Sequence, residues 1–144
     1  MNKSFPLVLG ICALLMSCDV RKKDKLADTP VAKEVKDPTT VEIIDSVYDF
    51  GKVAEGDNVE FSYRFKNSGT RPLVVTEAAA SCGCTVPEKP EKPIMPGEMG
   101  FIKVKFNSQG RPGQAHKTIS VSSNAQPPFP QLVLKGEVEP KSKQ

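Results

Sequence analysis

The chain has 144 residues, 26% of them charged, with a formal net charge of +3 and both signs mixed along its length. No basic stripe or cluster marks a nucleic-acid surface, so that class of partner is set aside. With 13 prolines, no tryptophan and few aromatics, the composition favours turns and strands over helices.

The N-terminus carries Lys3, an apolar run from Phe5 to Met16, then Ser17 and Cys18. A charged start, a short apolar stretch and a small residue before the cut form a secretory signal. The run falls short of the ~20 apolar residues a bilayer span needs. Leu15-Met16-Ser17-Cys18 resembles the lipobox of bacterial lipoproteins. That resemblance implies a signal peptide over residues 1–17, a diacylglyceryl group on the Cys18 thiol, and a mature protein that starts at Cys18. It implies a place in the cell envelope, facing the periplasm or the cell surface, with acyl chains as the link to a membrane. Each buried methylene adds ~0.8 kcal/mol, so several chains anchor stably. Removing residues 1–17 leaves 127 residues, enough for one domain with a core plus a tail.

Residues 18–39 read as the lipidated N-terminus and a flexible tether. Asp19 to Pro38 holds six basic and five acidic residues and few large apolar ones, too little to offset the entropy of ordering. Pro30 and Pro38 interrupt any helix there.

From Thr40 the pattern turns to strands. Val41-Glu42-Ile43-Ile44 and Val47-Tyr48-Asp49-Phe50 are short β-prone runs, and Gly51 reads as a turn residue ending the second. Val59, Phe61, Tyr63 and Phe65 alternate with Glu60, Ser62, Arg64 and Lys66, the pattern of a half-buried strand. Asn67-Ser68-Gly69-Thr70 is a turn. Pro72 to Thr76 begins another strand through Leu73 and Val75. Ile102, Val104 and Phe106, then Ile119 and Val121, then Leu132, Leu134 and Val138 continue the series. About seven short strands with turns at this spacing predict an all-β, Ig-like β-sandwich over residues 40–139, with residues 140–144 as a tail. Pro87, Pro90, Pro93 and Pro96 recur every third residue, the polyproline II repeat. They predict a stiff strap crossing between the two sheets.

Four cysteines are present, and the first leaves with the signal peptide. With Cys18 acylated, Cys82 and Cys84 remain as free chemistry, in a compartment that permits disulfides. In a strand, residues i and i+2 point to one side with Cα atoms ~6.6 Å apart. Disulfides span ~4.4–6.8 Å, so Gly83 is expected to bend the chain for the sulfurs to meet. Three readings stand: a small structural disulfide or packed thiols, a strained redox dithiol, and a soft-metal site for Cu(I). The structural one ranks first. Met95, Met99 and His116 are soft or borderline ligands that nothing in the sequence brings near the pair. A structural zinc wants four ligands, which one chain does not offer and a dimer's four cysteines would.

His116 is the only histidine and opens a strand beside Lys117, so a general-base role is a poor fit. There is no Gly-x-Ser-x-Gly elbow and no evident triad. Asp49-Phe50-Gly51 matches a kinase tripeptide by chance, since the glycine-rich phosphate loop is missing and the chain is too short for that fold. No catalytic residue and no enzyme activity are assigned.

Several motifs nevertheless fit one pattern in order. They are Asp49-Phe50-Gly51-Lys52-Val53, Phe65-Lys66-Asn67-Ser68-Gly69, Pro72-Leu73-Val74-Val75 and Ser81-Cys82-Gly83-Cys84-Thr85-Val86-Pro87. Pro93-Ile94-Met95-Pro96-Gly97-Glu98, Ile102 to Phe106 and Leu134-Lys135-Gly136-Glu137-Val138 follow. Over roughly residues 41–138 the chain resembles a bacterial lipoprotein family of unknown function marked by Ser-Cys-Gly-Cys-Thr. That domain is similar to the Ig-like modules of the major sperm protein, ASH and PapD group. The resemblance implies an Ig-like sandwich on an envelope lipoprotein and supplies no activity. The expectation is a non-enzymatic module that binds or scaffolds another envelope protein through an exposed sheet edge or apolar patch. The alternative is a copper or thiol-redox protein acting through Cys82 and Cys84.

Overall fold

The alternation along the central strands decides the layers. In the computed structural model, which describes residues 37–141, eight strands form and no helix does. They are β1 (Val41–Ile43), β2 (Val47–Ala54), β3 (Asn58–Asn67), β4 (Val75–Ala80), β5 (Thr85–Glu88), β6 (Met99–Asn107), β7 (Gly113–Ser123) and β8 (Leu132–Glu139). Two four-stranded sheets result, ordered β1-β3-β6-β5 and β2-β8-β7-β4. All neighbours are antiparallel except β2 and β8. The signal segment, Cys18 and the tether up to residue 36 lie outside the described residues.

Period-two patterning sends Val59, Tyr63 and Phe65 of β3 and Ile102, Val104 and Phe106 of β6 inward. They meet Ala115, Ile119, Leu132, Leu134 and Val138 from β7 and β8. Burying each large apolar side chain contributes about 1.5–3 kcal/mol. Aromatic contacts join the two layers: Phe61 stacks on Tyr48 with ring centroids 3.8 Å apart. Tyr63 reaches across from β3 and donates to the Val133 carbonyl at 2.7 Å. Burial pushes the Tyr63 phenol well above its ordinary range, so this hydroxyl remains a donor.

Four features depart from the sequence expectations. Gly51 does not end a strand: β2 runs through it to Ala54, with a register shift between Asp49 and Lys52. Gly51 takes φ +67° and its N–H is accepted by Asp49 Oδ1 at 2.9 Å, a local bulge rather than a turn. The strand expected from Pro72 begins only at Val75 and extends through the small residues Ala78 to Ala80. Leu73 is instead fully buried in an isolated bridge to Ile94, because Asn124 Oδ1 takes the next N–H, that of Val74. The proline-rich segment does not cross between sheets. It links β5 to β6 within one sheet, since Thr85–Glu88 pairs with Lys103–Phe106. The connection just before it, Ser81–Cys84, is one of those that do cross, joining edge strands β4 and β5. Lastly, Thr39, assigned to the tether by composition, is buried, with its hydroxyl 3.0 Å from Asn67 Oδ1.

Candidate functional site

Asn67 holds the strap in place. It closes β3, is fully buried, and has every polar atom of its side chain engaged. Its Oδ1 accepts from the Thr39 hydroxyl and from Gly69 N–H, while Nδ2 donates to the carbonyls of Arg71 at 2.7 Å and Ile94 at 2.8 Å. The backbone completes the clamp, with Asn67 N–H donating to Glu98 O and Gly97 N–H donating to Asn67 O. Leu73 and Ile94 exchange a reciprocal pair of backbone bonds at 2.9 and 2.8 Å. One end of the strap is therefore fixed, with Ile94 packed against the core.

Between strap and strand lies an open groove of about 460 Å³, lined by Glu88 to Lys92, Ile94, and Met99 to Phe101 with Lys103. Along β6 the inward residues are Gly100, Ile102, Val104 and Phe106; Met99, Phe101, Lys103 and Lys105 face out. Phe101 is 44% and Met99 40% exposed, with Met95 at 49% on the strap and Val86 at 55% on β5. Apolar side chains thus share one sheet face with Lys103, Lys105 and Glu60, the last two paired at 3.4 Å. This mixture of apolar floor and charged rim suits an extended segment with apolar side chains and flanking charges.

The sheet edges, by contrast, are interrupted. β1 is only three residues long. β2 carries the Gly51 bulge, and β4 shifts register between Val75 and Glu77. At β5, Asn107 N–H donates to Cys84 O, and bonded pairs alternate along an antiparallel ladder. Val86 and Glu88 therefore face β6, and Pro87 faces the free edge with no N–H to offer. Short strands, bulges and an edge proline all oppose strand addition.

The second candidate is the crossover. Cys82 and Cys84 are joined by a disulfide, with Cα atoms 5.3 Å apart. Both residues are half-buried. Ser81 N–H donates to Thr118 O, Thr118 N–H donates to Ser81 Oγ, and Thr85 N–H donates to Cys82 O. Gly83 has no left-handed backbone and open space around an added Cβ, so the bend does not depend on glycine.

Of the other residues singled out in the sequence, Met99 begins β6 while Thr85 pairs with Phe106 at its far end, roughly 23 Å away along the strand. His116 is exposed on β7, opposite Lys135. Among the described residues, no three of His, Cys, Asp and Glu converge as a metal site. Asp49-Phe50-Gly51 is structural: the Phe50 ring covers the Cα of Gly136. Sequence reading missed Phe101 by starting the strand at Ile102. The available signal was that Met99 and Phe101 continue the face otherwise occupied by Lys103 and Lys105.

No curated protein sequence matches the chain. Among solved structures it is similar to a protein of unknown function from Porphyromonas gingivalis W83, at 16% identity and TM-score 0.60. That match covers 72% of this chain and 48% of the other, so this chain spans about half of that protein's length. It is also similar to an ASH/PapD-like domain of human CEP192, at 15% identity and TM-score 0.55, over 72% of this chain and 88% of that domain. The secreted serine protease VesC of Vibrio cholerae matches at 11% identity and TM-score 0.51, over 69% of this chain and 23% of the protease. At these identities the likeness is one of fold, an Ig-like sandwich of the PapD and ASH type, and no catalytic family is indicated. The sequence-family match runs over residues 41–138, from the first residue of β1 to Val138 in β8. The chain belongs to the family described as protein of unknown function (DUF1573).

Proposed function

We propose that this is a non-enzymatic binding module of the cell envelope, tethered to a membrane through acyl chains on Cys18 and docking another envelope protein on the outer face of β6. The observation that carries the reading is the exposure of Met99 and Phe101 beside the strap groove. Large apolar residues on a sheet face are usually covered, and here the neighbouring positions are lysines. The interrupted edges favour docking on the face over strand addition. The lipobox-like sequence supports the anchor, and a tether ahead of Asp37 lets the module reach a partner above the bilayer.

The test is a Met99→Ser/Phe101→Ser double variant of the membrane-associated protein. More than half of each side chain's surface is already covered, so each change should cost about 1 kcal/mol and leave the domain folded, which urea unfolding checks. The parent should elute in a complex on size exclusion after mild detergent extraction, and the double variant should not. An unchanged complex would contradict docking at this face. Separately, Cys18→Ser should move the chain out of the membrane fraction, and its continued presence there would contradict the anchor.

A further inference from the structure

The crossover disulfide links residues only two apart, so it removes little entropy from the unfolded chain. The flanks are already held without it, by Ser81 against Thr118 and by Asn107 N–H on Cys84 O at 3.0 Å. Stapling is a weak reason for its presence. Beneath it lies Thr85, only 3% exposed. Its hydroxyl sits 3.6 Å from Cys82 Sγ and 3.8 Å from Cys84 Sγ, and among the described residues it has no other hydrogen-bond partner. A disulfide sulfur is a poor acceptor, whereas a thiolate accepts strongly. The buried hydroxyl is thus matched to the cleaved pair better than to the closed one, a preference that favours the exchange step.

We propose that Cys82–Cys84 is a thiol–disulfide exchange site that takes a dithiol as its reducing partner, with the Thr85 hydroxyl stabilising the departing thiolate. Cys84 packs against the core and Cys82 does not, so Cys82 Sγ is the open target. The partner's thiolate attacks Cys82 Sγ. The Cys82–Cys84 bond breaks and its electron pair moves to Cys84 Sγ, which leaves as a thiolate accepting from Thr85 Oγ1–H. The partner's second thiol, deprotonated, attacks its own sulfur in the mixed disulfide, forming the partner's disulfide and releasing Cys82 as thiolate. The two protons lost by the partner end on the two cysteines. In sum, two electrons and two protons pass from the dithiol to the pair, and a partner disulfide drives the reverse. A monothiol stalls at the mixed disulfide, because Cys84, two residues away, re-closes on Cys82 and expels it.

The experiment uses the full chain carrying Cys12→Ser and Cys18→Ser, so that only this pair exchanges. Reduction at neutral pH is followed by quenching with an alkylating agent and intact mass. Dithiothreitol should reduce the pair while the far-UV spectrum stays native, and glutathione at matched thiol concentration should not accumulate the dithiol form. Thr85→Val should slow reduction by dithiothreitol roughly tenfold at unchanged unfolding midpoint, and Thr85→Ser should restore the rate. Reduction that proceeds only as fast as global unfolding overturns the proposal without any variant. Equal reduction by both reagents, or a Thr85→Val rate equal to the parent's, overturns it as well.

Discussion

Phe65 and Gly100 lie directly opposite each other across β3 and β6, and the phenyl ring covers the glycine so closely that no Cβ fits beneath it. The pair packs the inner side of β6 at Gly100, while Met99 and Phe101 on either side of it face the groove. Gly100→Ala should therefore displace a fully packed ring and destabilise the domain by about 1–3 kcal/mol. Gly83→Ala, where nothing lies within 4 Å of the added Cβ, should stay within about 0.5 kcal/mol. Urea unfolding of the two variants checks both. Equal losses would show that the crossover needs its glycine after all.

Asn67 belongs to the same machinery. Replacing it by alanine removes one of the two donors on each of the Arg71 and Ile94 carbonyls, takes one of its two acceptors from the Gly69 N–H and leaves the Thr39 hydroxyl with one partner fewer. The expected loss is about 2–4 kcal/mol. Amide hydrogen exchange should accelerate first at Leu73 and Ile94, whose mutual bonds depend on the clamp. Protection at those two amides equal to the parent's would contradict a positioning role for Asn67.

Asp45 and Arg64 give a pH signature. Arg64 Nε and Nη2 donate to the carboxylate at 2.7 and 3.1 Å, and the Arg64 backbone N–H adds a third bond at 3.1 Å. The hydrogen bonds from the guanidinium, aided by the backbone N–H and the positive charge, hold the Asp45 carboxyl below its ordinary range against an opposing desolvation. A depressed carboxyl contributes stability that is complete above its unfolded value of ~3.9 and is lost as pH falls through the folded value. Arg64 is 53% exposed, so the contribution is discounted to about 0.5–1 kcal/mol. Asp45→Asn should lose that amount at pH 7 and match the parent well below pH 4. A constant difference across the range would contradict the assignment.

Removing the disulfide should cost little. For so short a loop, Cys82→Ser/Cys84→Ser is expected to lower stability by at most about 1–2 kcal/mol, measured by urea unfolding. A larger loss would restore the structural staple as the main role of the pair.

The inward strands were legible because alternation is a local signal: Val59 to Lys66 and Ile102 to Phe106 reveal their faces residue by residue. What escaped depends on partners far along the chain. Gly51 reads as a terminator until β8 is seen pairing on both sides of it. Leu73 reads as a strand residue until Asn124 and Ile94 claim the backbone around it. The prolines reveal a stiff strap but not which sheet receives it, because strand pairing is non-local. Cys82 and Cys84 were legible as a pair, whereas the Thr85 hydroxyl comes to lie beneath them only through the pairing of β5 with β6. Phe101 was within reach, one step back along a pattern already recognised.

The central claim, that β6 presents the docking face, is tested most directly by a photo-crosslinking side chain at position 101 in intact cells. Position 120 serves as the control, an exposed site on β7 in the opposite sheet. The account predicts a discrete adduct of defined mass from position 101 and none from position 120. An adduct from position 120 alone, or the same adducts from both, would place the partner elsewhere and contradict it.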